Sequence, residues 1–302
     1  MRKSKFSSTL ITIVIPTYNR AAIISKTIDS FIAQTFEDWE MIVVDDHSKD
    51  NTNEVIEGYH KQDARISYLL NERKKGAQGA RNTGILHAKT EWIICFDSDN
   101  EAHPDMLEKL TEKISDNVDV VSCFSNVIDE KTKQQIGKFE WVSEGDIHRN
   151  LFAGSSYVDF NQAIIRKSKL LEIGLLDEDC PSMQEWDTHI RLSKIARYTT
   201  VREHLVDYYV NGEDAISTDK KREVRGHLYV FGKHKDEWKE DRENLKWMIG
   251  RTYAMIRLNS DYVYRLKALM KLARITPYTI QVVLKKRLKF LKRILNVKRL
   301  IK

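Results

Sequence analysis

Cysteine is scarce in this chain. Its 302 residues include three cysteines, Cys95, Cys123 and Cys180, which lie far apart and form no Cys-x-x-Cys pair. An odd number of scattered cysteines argues against a disulfide framework and against a zinc site. We therefore expect the protein to work in a reducing cytosol.

Long hydrophobic runs are missing as well. The basic start of the chain is followed by an apolar run of only Leu10–Ile15. This run is shorter than the core of a signal peptide and far too short to span a bilayer. We expect neither a signal peptide nor a transmembrane helix.

Two glycine-rich signatures of nucleotide binding are also absent. No Gly-x-Gly-x-x-Gly follows the first apolar run, and no Gly-x-x-x-x-Gly-Lys-Ser/Thr occurs in the sequence. These absences disfavour a nicotinamide cofactor and a P-loop.

Charge is distributed unevenly along the chain. Of the 50 Lys/Arg residues, 13 lie in residues 262–302, which contain no Asp or Glu. The first 261 residues therefore hold 37 Lys/Arg and all 44 Asp/Glu, a net charge of −7 in a chain of net charge +6. A basic tail on an acidic body points to an anionic membrane surface or a nucleic acid as the partner of the tail.

Apolar runs alternate with helical patterns through the first part of the chain. In order, these segments are Ile11–Ile15, Ala21–Gln34, Met41–Val44, Ile66–Leu70, Ala80–Ala88 and Trp92–Phe96. This alternation is typical of βαβ units. We predict an α/β fold over residues 1–215, with a mostly parallel sheet flanked by helices, and a helical C-terminal region over residues 216–302. Later segments predict a strand over Val158–Ile165, a helix over Glu185–Ile195 and two short strands within residues 198–210.

Polar residues follow three of the apolar runs at their carboxyl ends, namely Thr17–Asn19, Asp45–Asp46 and Asp97–Asp99. Ligands bind outside the carboxyl ends of strands in open α/β sheets, so we expect these residues to meet in one crevice. Strand alternation sends Asp97 and Asp99 to the same side, and such a pair suits Mg²⁺ or Mn²⁺ bound together with substrate phosphates. The alternative is an ordinary turn, for which Asp-Ser-Asp-Asn is also well suited.

Several motifs together resemble a known family. Ile13–Arg20, Val43–Ser48, Gly79–Gly84 and Phe96–Asp99 resemble, in order and spacing, the family-2 glycosyltransferases of GT-A fold, and the likeness extends over about residues 10–215. Within it, Gln184–Leu192 looks like the catalytic helix of the family.

The resemblance implies an inverting transfer of a sugar from a nucleotide-sugar to an acceptor hydroxyl. It implies that Pro16, Thr17, Tyr18 and Asp46 hold the base and ribose, with Asn19 and Ser98 completing the nucleotide-sugar contacts, and that Arg81 approaches the diphosphate. It also implies that Asp97 and Asp99 form an Asp-x-Asp signature for Mn²⁺ or Mg²⁺, with Asp99 as the direct ligand.

Two residues are candidates for the general base that takes the acceptor's proton. The family has an Asp where this sequence has Glu185, between Gln184 and Trp186, and Asp187 is the second candidate. Asp187 also stands four residues before Arg191, a spacing that favours an ion pair within the helix.

The tail predicts a basic amphipathic helix. Leucines recur at helical spacing from Leu284 to Leu295, while lysines and arginines occupy the opposite face. This pattern is typical of a helix lying in a membrane interface. We expect a protein held peripherally on the inner face of the cell membrane that acts on a glycan or lipid-linked acceptor, and we expect no nucleic-acid partner. The alternative is a helix packed on the catalytic domain or on a second copy of the chain.

Two other functions fit some of the same residues. A nucleotidyltransferase also places paired acids beside a diphosphate, although it would lack a helix like Gln184–Leu192. A non-catalytic, membrane-tethered protein that binds nucleotide-sugars would keep the fold without the chemistry. The presence of Asp46, Arg81, Asp97 and Asp99 favours an enzyme over a non-catalytic protein. From the resemblance we expect a transferase that uses a nucleotide-sugar, with UDP as the expected nucleotide, in the synthesis of a surface polysaccharide.

Overall fold

The computed structural model describes residues 11–210 and 219–282. The chain divides into two compact units, of which the first is Met1–Asp179 with Gln184–Gly212 and the second is Cys180–Met183 with Glu213–Lys302. The boundary predicted after residue 215 and the basic helix predicted from Leu284 both lie outside the described residues.

The first unit alternates strands and helices. In chain order they are β1 (Ile11–Thr17), α1 (Ile24–Ile32), β2 (Trp39–Asp45), α2 (Thr52–Gln62), β3 (Ile66–Leu70), α3 (Ala77–His87), β4 (Trp92–Cys95), β5 (Glu101–Ala102), α4 (Met106–Thr111), β6 (Val120–Asp129), β7 (Gln135–Phe139), α5 (His148–Ala153), β8 (Ala163–Arg166), α6 (Lys167–Glu172), α7 (Gln184–Leu192) and β9 (Tyr198–Val210).

The described strands join in one sheet in the order β3-β2-β1-β4-β8-β6-β9-β5, with β7 paired to the side of β6. The first four strands of this order are parallel, whereas β8 runs antiparallel to both β4 and β6. Every residue of β1 is buried, as expected for a central strand of a sheet covered by helices on both faces. The prediction of an α/β fold with a parallel core is confirmed.

Close packing of α3 on the sheet depends on a glycine. A Cβ atom on Gly84 would lie 2.4 Å from a methyl carbon of Val14 on β1, which is closer than packed carbon atoms can approach. The absence of a side chain at Gly84 therefore lets α3 lie against β1 and carry its first turns towards the carboxyl ends of the strands.

Two segments differ from the prediction. The strand expected over Val158–Ile165 starts only at Ala163, because the Asp159 carboxylate accepts a hydrogen bond from the backbone N–H of Asn161 (2.9 Å) and begins a short 3₁₀ turn. The two strands expected near the end of the unit are one continuous strand, β9, because its pairing with β6 continues through register shifts next to Phe124.

The second unit is helical where it is described. Its helices are α8 (Lys220–Lys233), α9 (Lys235–Glu240), α10 (Arg242–Leu258) and α11 (Tyr262–Ile275). An aspartate caps the start of three of them, since Asp219, Asp241 and Asp261 each accept hydrogen bonds from the first backbone N–H groups of α8, α10 and α11. Within residues 11–210 and 219–282, no helix is long and apolar enough to cross a membrane.

Candidate active site

The carboxyl ends of three neighbouring strands form the floor of the site. β1 lies between β2 and β4, and Thr17 at the end of β1 is in register with Asp45. The backbone N–H of Asp46 donates to the carbonyl oxygen of Thr17 (2.8 Å), and on the other side the N–H of Phe96 donates to the carbonyl oxygen of Val14 (2.9 Å). The sheet thus brings Thr17, Asp46 and Asp97 to one edge.

Asp46 is buried at this edge and anchors the basic loop before α3. One carboxylate oxygen accepts a hydrogen bond from the Asn71 side chain (2.7 Å), and the other accepts the backbone N–H of Gly76 (2.8 Å). A Cβ atom on Gly79 would lie 1.9 Å from the carbonyl oxygen of Lys74, so the loop can pass this close only to a glycine. Asp46 and Gly79 together fix the path of the loop past the site.

The polar segment after β1 is exposed and tied to the loop that follows β2. Asn19 adopts a left-handed conformation with φ of 53°, and its side-chain oxygen accepts the backbone N–H of Lys49 (2.8 Å). The exposed Tyr18 ring lies 4.7 Å from the ammonium group of Lys75, measured to the ring centroid. Pro16 and Thr17 are different, because both lie within β1 and are buried.

Arg81 is buried and forms an ion pair with the partly exposed Asp97. The Arg81 side chain is 5% exposed and the Asp97 side chain 32%. The guanidinium donates to the Asp97 carboxylate at 2.5 Å and to the Gln78 side chain at 2.6 Å. It also lies 4.9 Å from the centre of the Phe160 ring. Since the second carboxylate oxygen of Asp97 accepts from the Asn161 amide at 2.9 Å, both oxygens of Asp97 have a donor.

Asp99 lies two residues further on and has a looser environment. Its carboxylate is 3.8 Å from the guanidinium of Arg20, whereas the intervening Ser98 is buried. Loss of hydration and the neighbouring charge of Asp97 raise the pKa of Asp99 to about 6. Two carboxylates that repel each other in this way favour a bound cation.

The side chains near Asp97 and Asp99 that could ligate a metal determine which kind of ion would fit. Among the residues that the structure describes, no group of three His, Cys, Asp or Glu side chains is arranged to hold a metal ion. A cation such as Mg²⁺ is often bound through only one or two carboxylates and takes the rest of its ligands from water and substrate phosphates. Asp97 and Asp99 fit that mode of binding.

Glu185 stands in the first turn of α7. The charges of Asp159, Arg81 and Asp97 act on its carboxyl group. Loss of hydration, and then the charge of Asp159, raise the pKa of Glu185 to about 7 against the opposing charge of Arg81. A carboxyl group with a pKa near neutrality is well matched to proton transfer.

Asp187 has a different environment one half-turn later on α7. Its side chain is 1% exposed and pairs with the guanidinium of Arg191 at 2.9 Å. Arg191 also donates to the backbone carbonyl oxygens of Ile173 (3.0 Å) and Leu175 (2.6 Å). The ion pair that the four-residue spacing offered is therefore present, and it ties α7 to the loop after α6.

Two polar residues of the site, Asp159 and Asn161, were not predicted as site residues from the sequence. The side-chain amide of Asn161 lies between carboxylates, since it donates to Asp97 and also to Asp159 (2.6 Å). Loss of hydration and the charge of Asp97 raise the pKa of Asp159 to about 6. The Asp-x-Asn pattern of these two residues is typical of a turn and could have indicated that the strand starts later. The prediction instead included both residues in a strand.

The chain is similar to known proteins in sequence. The family described as Glycosyl transferase family 2 matches residues 12–174, more than half of the chain. A curated relative from Campylobacter jejuni, GalNAc(5)-diNAcBac-PP-undecaprenol β-1,3-glucosyltransferase, is 31% identical over 171 residues, which are 54% of this chain and 55% of the relative. The chain covers 55%, 38% and 33% of the lengths of three curated relatives, about half or less of each.

The fold is also similar to solved structures. Staphylococcus aureus TarS in complex with UDP-GlcNAc has a TM-score of 0.59 at 16% identity, covering 88% of this chain and 71% of that one. A mannosyltransferase from Pyrobaculum calidifontis in complex with GDP-Man and Mn²⁺ has a TM-score of 0.61 at 17% identity, covering 95% and 81%. This likeness confirms the predicted GT-A fold.

Proposed function

Because the chain belongs to glycosyl transferase family 2, we propose that it moves a sugar from a nucleotide-sugar, with UDP as the nucleotide, to a hydroxyl group of an acceptor with inversion. The observation that carries this proposal is the grouping of Arg81, Asp97 and Glu185 at the carboxyl edge of the sheet. Such a group supplies positive charge for a leaving diphosphate and a base for an attacking hydroxyl.

The donor side of the site consists of the strand ends. Asp46 uses two of roughly four acceptor positions on its carboxylate and keeps others for a base or ribose of the donor. Tyr18 and Asn19, together with Pro16, Thr17 and Ser98, complete the nucleotide-sugar contacts in this proposal.

Charge develops on the diphosphate as the bond to the sugar breaks. Arg81 is already held in the site by Asp97 and Gln78, so it neutralises this charge without reorganisation. Asp99, with Asp97, would hold Mn²⁺ or Mg²⁺, which supplies further positive charge to the leaving group.

Glu185 takes the acceptor proton in this proposal. The acceptor oxygen forms its bond to the anomeric carbon from the face opposite the diphosphate, the bond to the diphosphate breaks, and the hydroxyl proton passes to the Glu185 carboxylate. Asp187 has a supporting role, because its buried pair with Arg191 holds α7 in place.

The acceptor is a glycan or a lipid-linked intermediate of surface polysaccharide synthesis. Support comes from the name of the Campylobacter jejuni relative, whose acceptor is attached to undecaprenol through a diphosphate. The basic residues 262–302 would hold the enzyme peripherally on the inner face of the cell membrane.

Calorimetric titration of UDP, GDP and dTDP, with and without Mn²⁺, tests the donor site. We expect UDP to bind more tightly with Mn²⁺, and we expect Asp99→Asn to remove the effect of the metal while the exposed control Asp116→Asn retains it. Failure of a folded protein to bind any of the three nucleotides would overturn the proposal.

A further inference from the structure

Helix α11 of the second unit leaves one face exposed. Ala268 and Leu272 are buried on one side of the helix. The exposed positions recur every three or four residues along the other side, and they are Tyr262, Val263, Leu266, Lys267, Met270, Lys271 and Arg274. This spacing places them on one continuous face of an α-helix.

One ridge of this face is apolar. Tyr262, Leu266 and Met270 stand four residues apart and are 70%, 49% and 49% exposed, and the adjacent Val263 is 60% exposed. Single exposed apolar side chains are ordinary on protein surfaces, but a contiguous row of them marks an interaction site.

Basic side chains border the apolar ridge. Lys267, Lys271 and Arg274 of α11, together with Lys235 at the start of α9, line a concave surface that Met270 and Ile275 also share. Within the described residues none of these four cations forms an ion pair, and two nearby acids pair with other lysines, Asp236 with Lys239 and Asp261 with Lys221. The hydrogen bond from Lys239, and to a lesser extent the charge of Lys235, lower the pKa of Asp236, so Lys235 is partly compensated. The concave surface thus keeps a net positive charge.

We propose that this face of α11, the α11 surface, is a membrane-contact site. In the proposal, the apolar ridge enters the interface of the bilayer while the concavity binds the phosphate groups of anionic phospholipids. A helix with an apolar row beside basic residues is the arrangement that lies in a membrane interface. Each Lys or Arg near an anionic leaflet contributes about 1 kcal/mol, and lysine stems can follow the apolar ridge while their ammonium groups reach the phosphates.

Two other occupants of the α11 surface can be considered, residues 283–302 of the same chain and a second copy of the chain. Electrostatic repulsion argues against both. Residues 283–302 contain nine Lys/Arg and no acid, so their charge has the same sign as the concavity and opposes packing on it. A second copy joined through the same face would bring two sets of these four cations together. An anionic partner meets neither obstacle.

The α11 surface lies within residues 262–302, so this inference rests on the membrane attachment in the proposed function and names the surface that makes the contact. It does not involve nucleotide binding or sugar transfer, so loss of vesicle binding and loss of nucleotide binding can be told apart. The experiment measures sedimentation of the full-length chain with vesicles of phosphatidylcholine alone and with vesicles that also contain phosphatidylglycerol. We expect binding to the anionic vesicles and little binding to the neutral ones.

Two double variants separate the basic and apolar parts of the surface. Lys267→Glu with Lys271→Glu should weaken binding to anionic vesicles at least about ten-fold, as expected from the loss of two favourable charges. Leu266→Ser with Met270→Ser should weaken it as well, because the apolar contact is lost. The matched control is Lys61→Glu with Lys89→Glu, which makes the same change in net charge on the exposed surface of the first unit and should bind as the unchanged chain does.

Four results would overturn the proposal, provided that thermal unfolding shows the variants to be folded. One is vesicle binding that both α11 variants retain in full. A second is loss of binding in the Lys61 and Lys89 control equal to that in the lysine variant. A third is displacement of the protein from vesicles by millimolar inorganic phosphate at constant ionic strength, which would indicate a site for free phosphate. The fourth is a lipid-free dimer that the Leu266 and Met270 variant dissociates, which would make the surface a protein interface.

Discussion

Asn161 and Asp97 are joined by two hydrogen bonds that run in opposite directions. The backbone N–H of Asp97 donates to the side-chain oxygen of Asn161 (2.7 Å), and the side-chain amide of Asn161 donates to the carboxylate of Asp97 (2.9 Å). The two hydrogen bonds fix Asp97, the second residue after β4, so that its other carboxylate oxygen faces Arg81.

We predict that Asn161→Ala lowers kcat/KM by roughly ten-fold or more, because hydrogen bonds to charged groups contribute about 1.5–3 kcal/mol and Asp97 loses both of its hydrogen bonds with Asn161. Steady-state kinetics and nucleotide titration measure the loss. The exposed Asn53→Ala serves as the control for an ordinary loss of an amide side chain. Unchanged kinetics in a folded Asn161→Ala protein would contradict the positioning role.

The pH dependence of the reaction tests Glu185 as the base. Since the pKa of Glu185 is raised to about 7, the carboxyl group is neutral below that pH and cannot accept a proton. We expect kcat to fall as the pH drops through about 7, and Glu185→Gln to lose roughly 10²–10⁴ in kcat while it still binds the nucleotide. A Glu185→Gln protein with the same kcat as the unchanged enzyme would rule Glu185 out.

Substitution of Asp159 provides a second test of Glu185 as the base, because the charge of Asp159 affects the pKa of Glu185. Asp159 contributes to the raised pKa of Glu185, and because the two groups interact, the observed midpoint belongs to the pair. Asp159→Asn removes the negative charge and should move the midpoint of the pH profile to lower pH. A midpoint that stays in place or moves upward would show that the two carboxyl groups do not interact in the working enzyme.

Asp187 should matter more for stability than an acid in a surface ion pair does. Removing one partner of a buried ion pair costs about 3–5 kcal/mol, and the Asp187 side chain is almost fully buried against Arg191. We predict a loss of this size in the free energy of unfolding for Asp187→Ala, measured with urea. Glu172→Ala, which breaks a surface pair with Lys169, should change stability by less than about 1 kcal/mol. An equal effect of the two substitutions would refute the assignment.

Acid should destabilise the first unit through His189. This side chain is buried, its Nδ1 lies 3.0 Å from the Tyr198 hydroxyl, and burial lowers the pKa of His189 to about 3 from an ordinary 6.5. Below pH 6.5 the unfolded chain therefore takes up a proton that the folded chain does not, so stability falls as the pH falls.

The expected loss from His189 between pH 7 and pH 5 is about 2 kcal/mol. Urea unfolding at the two pH values should show a smaller change in His189→Gln, whereas the exposed His47→Gln should behave as the unchanged chain. The comparison must be between variants, since the buried His227 of the second unit has a lowered pKa and contributes with the same sign. An identical pH dependence in all three proteins would be inconsistent with a neutral buried His189.

Much of the fold could be predicted from local patterns. The alternation of apolar runs and helical segments predicts a parallel α/β core because a strand buried on both faces must be apolar throughout, as β1 is. The residues that follow β1, β2 and β4 could be placed at one edge because parallel strands all end on the same side. The four-residue spacing of Asp187 and Arg191 likewise predicted a pair within one helix.

Only the tertiary structure decided how the chemistry is divided between residues. Asn161 is 64 residues from Asp97 in the chain, and no periodicity links a turn before β8 to the end of β4. Glu185 and Asp187 are both acids in the first turn of α7, yet one lies in the field of Asp159 and Arg81 and the other is paired with Arg191. The neighbours and the hydration of a carboxyl group set its pKa, and both depend on segments that packing brings together from distant parts of the sequence.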